Sequence, residues 1–164
     1  MLVMIVFITA LLALRASGAA GARRFSTWRV CAAHALAVML LLTASAHFVP
    51  PSVTAMPNQA DMIAMVPPQL PFPEALVLAT GVLELLGAAG LTWARTRRPA
   101  GLCLALLFVA MTPANIHAAL DPAQIDATSL WLRLPQQALY VSCALWIALS
   151  TRRTATDPEP AHSM

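Results

Sequence analysis

At 164 residues, with 59% hydrophobic and only 10% charged side chains and a mean hydropathy of +0.72, the chain is too apolar for a soluble domain of this size, and its apolar runs leave no room for a separate one. The net charge of +3 and pI near 9.2 do not signal nucleic acid, because every basic residue is an arginine and all but Arg133 flank apolar runs. The lipid bilayer is the implied solvent and the lipid bilayer the first partner. Unpaired backbone groups are excluded there and alternating strands of about ten residues are absent, so the expected fold class is all-α: a transmembrane four-helix bundle with an additional short N-terminal hydrophobic helix.

Taken in chain order, residues 1–22 form an N-terminal hydrophobic segment. Met1 to Leu14 is apolar but short, and Arg15 interrupts it before the small residues Ala16 to Ala22. No basic residue precedes the run and Arg23 and Arg24 follow it, which favours a retained, tilted helix over a cleaved signal-like start. Residues 23–153 then hold four apolar runs, Trp28–Phe48, Ala75–Trp93, Pro99–Leu120 and Leu130–Ser150. Each is long enough to cross about 30 Å of hydrocarbon, which takes roughly 20 residues. Between the first and second runs, Val49–Phe72 is long and proline-rich, and Asn58 is placed to cap a short interfacial turn carrying Met62, Ile63 and Val66 on one face. Arg95–Arg98 is a short link with Pro99 suited to a first helical turn, so the second and third helices form an antiparallel hairpin. Asp121, Pro122 and Asp126 mark a turn before the fourth run, and residues 154–164 read as a disordered tail.

Arginine placement orients these segments, because an excess of basic residues in short loops marks the cytoplasmic side. Arg15, Arg23, Arg24 and Arg29, then Arg95, Arg97 and Arg98, then Arg152 and Arg153 all fall on one side of the alternating runs. Asp61, Glu74, Asp121 and Asp126 fall on the other, with Arg133 its one basic residue near a membrane end. The expected location is a bacterial inner (cytoplasmic) membrane with the C-terminus cytoplasmic.

Several short motifs share an order and spacing: Ala46-His47-Phe48, Met65-Val66-Pro67-Pro68-Gln69-Leu70-Pro71, Gly81-Val82-Leu83-Glu84-Leu85-Leu86-Gly87, Arg95-Thr96-Arg97-Arg98, Pro113-Ala114-Asn115-Ile116 and Leu132-Arg133-Leu134-Pro135. Through them the chain, from about Val38 to Trp146, resembles the DoxX-like family of small four-helix integral membrane proteins. Gln136 departs from the apolar residue of that pattern, and residues 1–22 lie outside the shared core. The resemblance implies an accessory subunit of a membrane redox system that is not an enzyme on its own, with a membrane or periplasmic redox protein as partner. The alternative it implies is a quinone- or lipophile-binding oxidoreductase subunit with quinone as cofactor.

The residues themselves point to one polar cluster inside the membrane. Glu84 lies about ten residues from Glu74, which at roughly 1.5 Å per residue is about 15 Å deep, near the bilayer middle. Thr80, Gly81, Glu84, Gly87 and Ala88 share one arc of that helix, a small and polar stripe that another helix should approach closely. Arg133, Gln136, Gln137 and Tyr140 share a face of the fourth helix, and the expectation is that Gln137 or Tyr140 bonds Glu84. Asn115 sits beside Pro113, which must free a backbone carbonyl and kink the third helix. His47 and Thr43 share a face of the first helix. The expected ligand or polar site is a graded cavity with His47, Asn115 and Arg133 at its mouth and Glu84, Gln137 and Tyr140 at its floor, proton-handling in one reading and interhelical glue in the other. His34 reads as a lone packing histidine, and His117 faces away from Asn115, which disfavours a metal site.

Cys31, Cys103 and Cys143 all fall toward the arginine-flanked ends of their runs, with no Cys-x-x-Cys pair, so no thiol relay is expected on the opposite side. Serine elbows, glycine-rich phosphate loops and His-Glu-x-x-His patterns are absent, and no catalytic residue is assigned.

Overall fold

The structure is a computed structural model that describes residues 2–120 and 129–150. Among these residues the regular elements are all helical: α1 (Leu2–Ala19), a single 3-10 turn (Arg23–Phe25), α2 (Trp28–Ala46), α3 (Gln59–Ala64), α4 (Pro73–Thr92), α5 (Arg97–Ala110), α6 (Thr112–Leu120) and α7 (Leu130–Leu149). The expected turn at Asp121, Pro122 and Asp126, Arg152 and Arg153, and the tail 154–164 lie outside the described residues.

Among the described residues four helical stretches are long and apolar enough to cross a membrane: α1, α2, α4 and Arg97–Leu120, which joins α5 and α6. Three of the four runs expected to span are among them, and α1 is the fourth. The N-terminal helix is not short, because Arg15 does not interrupt it. The Arg15 guanidinium lies over the Trp28 ring, 5.4 Å from its centroid, where the charge gains a cation–π partner while the helix continues to Ala19. By contrast α7, although 20 residues long, opens with Arg133, Pro135, Gln136 and Gln137, which dilute its apolar character.

Each long helix packs against the next long one, α1 on α2, α2 on α4, α4 on α5 and α5 on α7. Thr43 and His47 of α2 face Glu84 and Val77 of α4, Gly87 and Gly90 of α4 face Leu104 and Ala100 of α5, and Gly101 of α5 faces Ala144 and Ala148 of α7. α2 is central, with 56% of its span buried against 6% for α1. α1 turns Phe7, Val3, Ala10, Leu11 and Leu14 to the core at helical spacing and leaves Leu2, Ile5, Ile8 and Leu12 exposed. Exposed leucines, valines and isoleucines cover the outer faces of the other helices too, as lipid contact requires. Exposed Trp28 and Trp93 ring the arginine-bearing end and Phe72 and Trp131 the opposite end, the positions that amphipathic rings favour at a membrane interface.

Close approach follows from small residues, since lipid offers no hydrophobic drive between helices. The buried face of α4 is Val77, Gly81, Glu84, Gly87, Ala88 and Leu91. At the end opposite the arginines, Asn58 caps α3 as expected: its Oδ1 accepts from the Ala60 and Asp61 amides, and its own amide donates to Asp61 Oδ2. Phe72, at φ 56°, turns the chain into α4, where Pro73 occupies the first turn.

Candidate functional site

Glu84 is 3% exposed, and its neighbours come from α2. Thr43 Oγ1 lies 2.7 Å from Glu84 Oε2, and His47 Nε2 lies 3.9 Å from Oε1. His47 is equally enclosed, with Nδ1 2.7 Å from the Val77 carbonyl and 3.4 Å from Thr80 Oγ1. A carbonyl only accepts, so Nδ1 carries a proton and Nε2, the atom facing Glu84, is left to hold or release one. The expected partner of Glu84, Gln137 or Tyr140, is therefore replaced by Thr43 and His47. Side chains on a helix lean toward its N-terminus. The N-terminus of α4 is at the end opposite the arginines, so Glu84 leans toward that end while His47, at the C-terminal end of α2, leans toward the arginine-bearing end. Two residues placed at different depths by counting along the chain thus meet. Gly81 permits the meeting: a Cβ there would lie 2.6 Å from His47 Cβ.

Thr43 has one hydroxyl proton and two acceptors in reach, Glu84 Oε2 and the Leu40 carbonyl at 3.2 Å. When Glu84 is ionised the hydroxyl donates to it. When Glu84 is protonated the hydroxyl can turn to Leu40 and accept the carboxyl proton instead. Both protonation states keep a hydrogen bond, a condition a buried carboxyl must meet to exchange a proton without leaving a polar atom stranded.

A second polar group forms where the third apolar run breaks. α5 ends at Ala110 and α6 begins at Thr112, so Met111 alone interrupts the helix, two residues before Pro113. The Phe108 carbonyl at the break is met by Thr112 Oγ1 at 3.1 Å and by the Gln137 Nε2 donor from α7. Asn115 Nδ2 donates to Gln137 Oε1 and Arg133 Nη1 donates to Asn115 Oδ1, each at 3.4 Å. Freed backbone inside a membrane requires such partners. Gln137, Asn115 and Arg133 are thus brought together, but around the helix break, while Glu84 and His47 meet between α2 and α4. The single graded cavity expected from depth alone is replaced by two polar contacts. A groove of about 340 Å³ on the outer face of α5 and α7 is lined by Leu102, Ala105, Leu106, Val109, Val141 and Leu145, all apolar.

Tyr140 joins neither group. It is buried between Phe7 and Phe108, with ring centroids 6.2 Å from each, and its hydroxyl is enclosed without a hydrogen-bond partner among the described residues. Gln136 is half-buried and enters no described bond of either group.

The arginine-bearing end holds more structure than its topological reading suggested. His34 is not alone: Nδ1 donates to the Val30 carbonyl at 2.8 Å, and Nε2 accepts from Arg24 Nη2 at 3.0 Å. The same Arg24 nitrogen reaches the Thr92 carbonyl at 3.0 Å, while buried Arg97 donates to Leu91 and Thr92 carbonyls at 2.9 and 3.4 Å. These carbonyls end α4 and have no helical donor of their own. The signal for this cluster was the run of arginines itself, read only as orientation. Cys31, Cys103 and Cys143 are free thiols, and Cys31 Sγ donates to the Phe25 carbonyl.

Residues 36–148 match a family model described as Domain of unknown function (DUF8561). No curated protein and no solved structure matches the chain. The matched stretch contains every site residue named above except those of the arginine-bearing end that precede α2's midpoint.

Proposed function

The chain belongs to the family of Domain of unknown function (DUF8561), and on that premise we propose that it is an integral membrane accessory component that exchanges a proton at the Glu84–His47 pair. The observation that carries this reading is the enclosed carboxylate–imidazole pair 3.9 Å apart, with Thr43 able to serve either protonation state of the carboxyl. Intramembrane ionisable residues are expensive, and those that persist face a bundle interior and commonly mark proton or substrate paths. The helices form a four-helix bundle, α2, α4, α5–α6 and α7, with α1 packed outside it. The arginine-bearing end is cytoplasmic in a bacterial inner membrane. The resemblance to DoxX-like proteins supports service to a membrane redox system, with a membrane or periplasmic redox protein as partner.

Infrared spectroscopy of the protein in lipid tests the proton exchange. A protonated-carboxyl band that titrates with pH, and is lost in a normally folded Glu84→Gln variant, is the expected outcome. A band that does not respond to pH, or that survives Glu84→Gln, would sink the reading.

One observation favours a second reading, a quinone- or lipophile-binding oxidoreductase subunit: the enclosed and unpartnered Tyr140 hydroxyl is a donor in want of an acceptor such as a quinone carbonyl. Gln137 fits less well, because its amide already serves Phe108 and Asn115. A bound quinone would supply the electron chemistry that the chain's own side chains lack. Mass spectrometry of co-extracted lipophiles separates the two readings, with quinone at one per chain required by the second.

A further inference from the structure

We propose that the arginine-bearing end binds the phosphate of an anionic phospholipid, held between Arg24, Arg29 and Arg97. The chain brings these residues from three places: Arg24 from the 3-10 turn after α1, Arg29 from the first turn of α2, and Arg97 from the first turn of α5. Arg24 and Arg97 donate to the same acceptor, the Thr92 carbonyl, so two guanidinium groups converge on one oxygen. Arg29 opens the helix that carries His34, the residue Arg24 bonds.

Among the described residues little offsets this charge. The carboxylates among the described residues are Asp61, Glu74 and Glu84, none of them at this end. The C-terminus of α4 offers only about half a negative charge. His34 adds none: with Nδ1 donating to Val30 and Nε2 accepting from Arg24, its ring is neutral and acts as a prop for Arg24. Among the described residues three cations therefore face about half an anion.

The donors left over point to the ligand class. Arg97 uses Nε and Nη2 on carbonyls, Arg24 uses only Nη2, and Arg29 makes no hydrogen bond among the described residues. The remaining guanidinium edges match the tetrahedral oxygens of a phosphate, which arginine recognises by paired N–H donors. Exposed Trp28 and Trp93 sit at the same end and set this cluster at headgroup level, where lipid phosphate is the concentrated anion. Basic pockets between helix ends at that level suit anionic headgroups.

The test uses the full chain in neutral detergent, with phosphatidylglycerol, phosphatidylcholine and inorganic phosphate added separately, reading retained lipid by native mass spectrometry and the unfolding temperature. Phosphatidylglycerol should be retained and stabilising, and the other two should not. Arg24→Gln with Arg29→Gln should weaken phosphatidylglycerol binding by roughly 25-fold, taking about five-fold per arginine. Arg95→Gln with Arg98→Gln removes the same charge from exposed positions and should cost less than about five-fold in total. Should the first pair not fold, Arg29→Gln alone breaks no described hydrogen bond and carries the same test at about five-fold. Equal losses from the two pairs would reduce the effect to general charge attraction and overturn the site. Stabilisation by inorganic phosphate equal to that by phosphatidylglycerol would overturn the lipid assignment.

Discussion

Replacing Gly81 with Ala places a methyl group 2.6 Å from His47 Cβ, 2.9 Å from His47 Cγ and 3.1 Å from the Phe48 ring. The nearest of these atoms is fixed to the backbone of α2, so no side-chain rotation relieves the clash and the two helices must part. Overpacking of this kind costs about 1–3 kcal/mol. Parting the helices also lengthens the His47–Val77 bond and, about a turn deeper, the Thr43–Glu84 bond, both 2.7 Å in the native packing. Weakening one neutral hydrogen bond adds about 1 kcal/mol. The expected loss is about 3 kcal/mol, a large share of a typical total of ~5–15 kcal/mol. Gly87→Ala provides the contrast. Its new methyl group meets Cδ2 and Cγ of Leu104, the end of a side chain that can change rotamer, for about 1 kcal/mol. Reversible unfolding in mixed detergent micelles measures both. If Gly81→Ala stays within about 0.5 kcal/mol of the native protein, or costs no more than Gly87→Ala, the close α2–α4 contact that creates the Glu84–His47 pair is wrong.

Tyr140→Phe removes a hydroxyl that is enclosed without a hydrogen-bond partner among the described residues. The variant should be as stable as the native protein or more stable by about 1 kcal/mol, and a loss of that size in the same unfolding assay would show that the hydroxyl has a bound acceptor. In a chain whose three cysteines are replaced by Ala, a cysteine introduced at exposed Ser52 should react in intact cells with an impermeant maleimide, and one at exposed Ala94 should not. The reverse pattern would invert the proposed orientation.

Much of the candidate site was visible as a set of residues and hidden as a geometry. Glu84, His47, Asn115, Arg133, Gln137 and Tyr140 stand out because polar groups are costly in long apolar runs, and that cost is a property of the side chain and its depth. Which of them meet is not. Depth placed Glu84 level with Gln137 and Tyr140, yet α4 packs on α2 and α5, and the lean of side chains toward the helix N-terminus carried Glu84 to His47. Gln137 instead met the Phe108 carbonyl at the α5–α6 junction, a backbone acceptor that counting polar side chains does not reveal. The role of Arg15 was misread for a similar reason: as a letter in an apolar run it looks like an interruption, and only the Trp28 ring beneath it makes it tolerable inside a helix.

Two kinds of information separate here. Length, hydropathy and arginine spacing determined by themselves that the chain is helical, that its long helices are apolar enough to cross a membrane, and that both ends of the stack differ in charge, because each of these depends on the local cost of exposing backbone or charge to lipid. The tertiary structure decided the partners: Thr43 and His47 for Glu84, Asn115 and Phe108 for Gln137, His34 and Thr92 for Arg24. Partner choice depends on which helices approach within hydrogen-bonding distance. That approach is set by glycines such as Gly81 and Gly101 acting on surfaces contributed by distant parts of the chain.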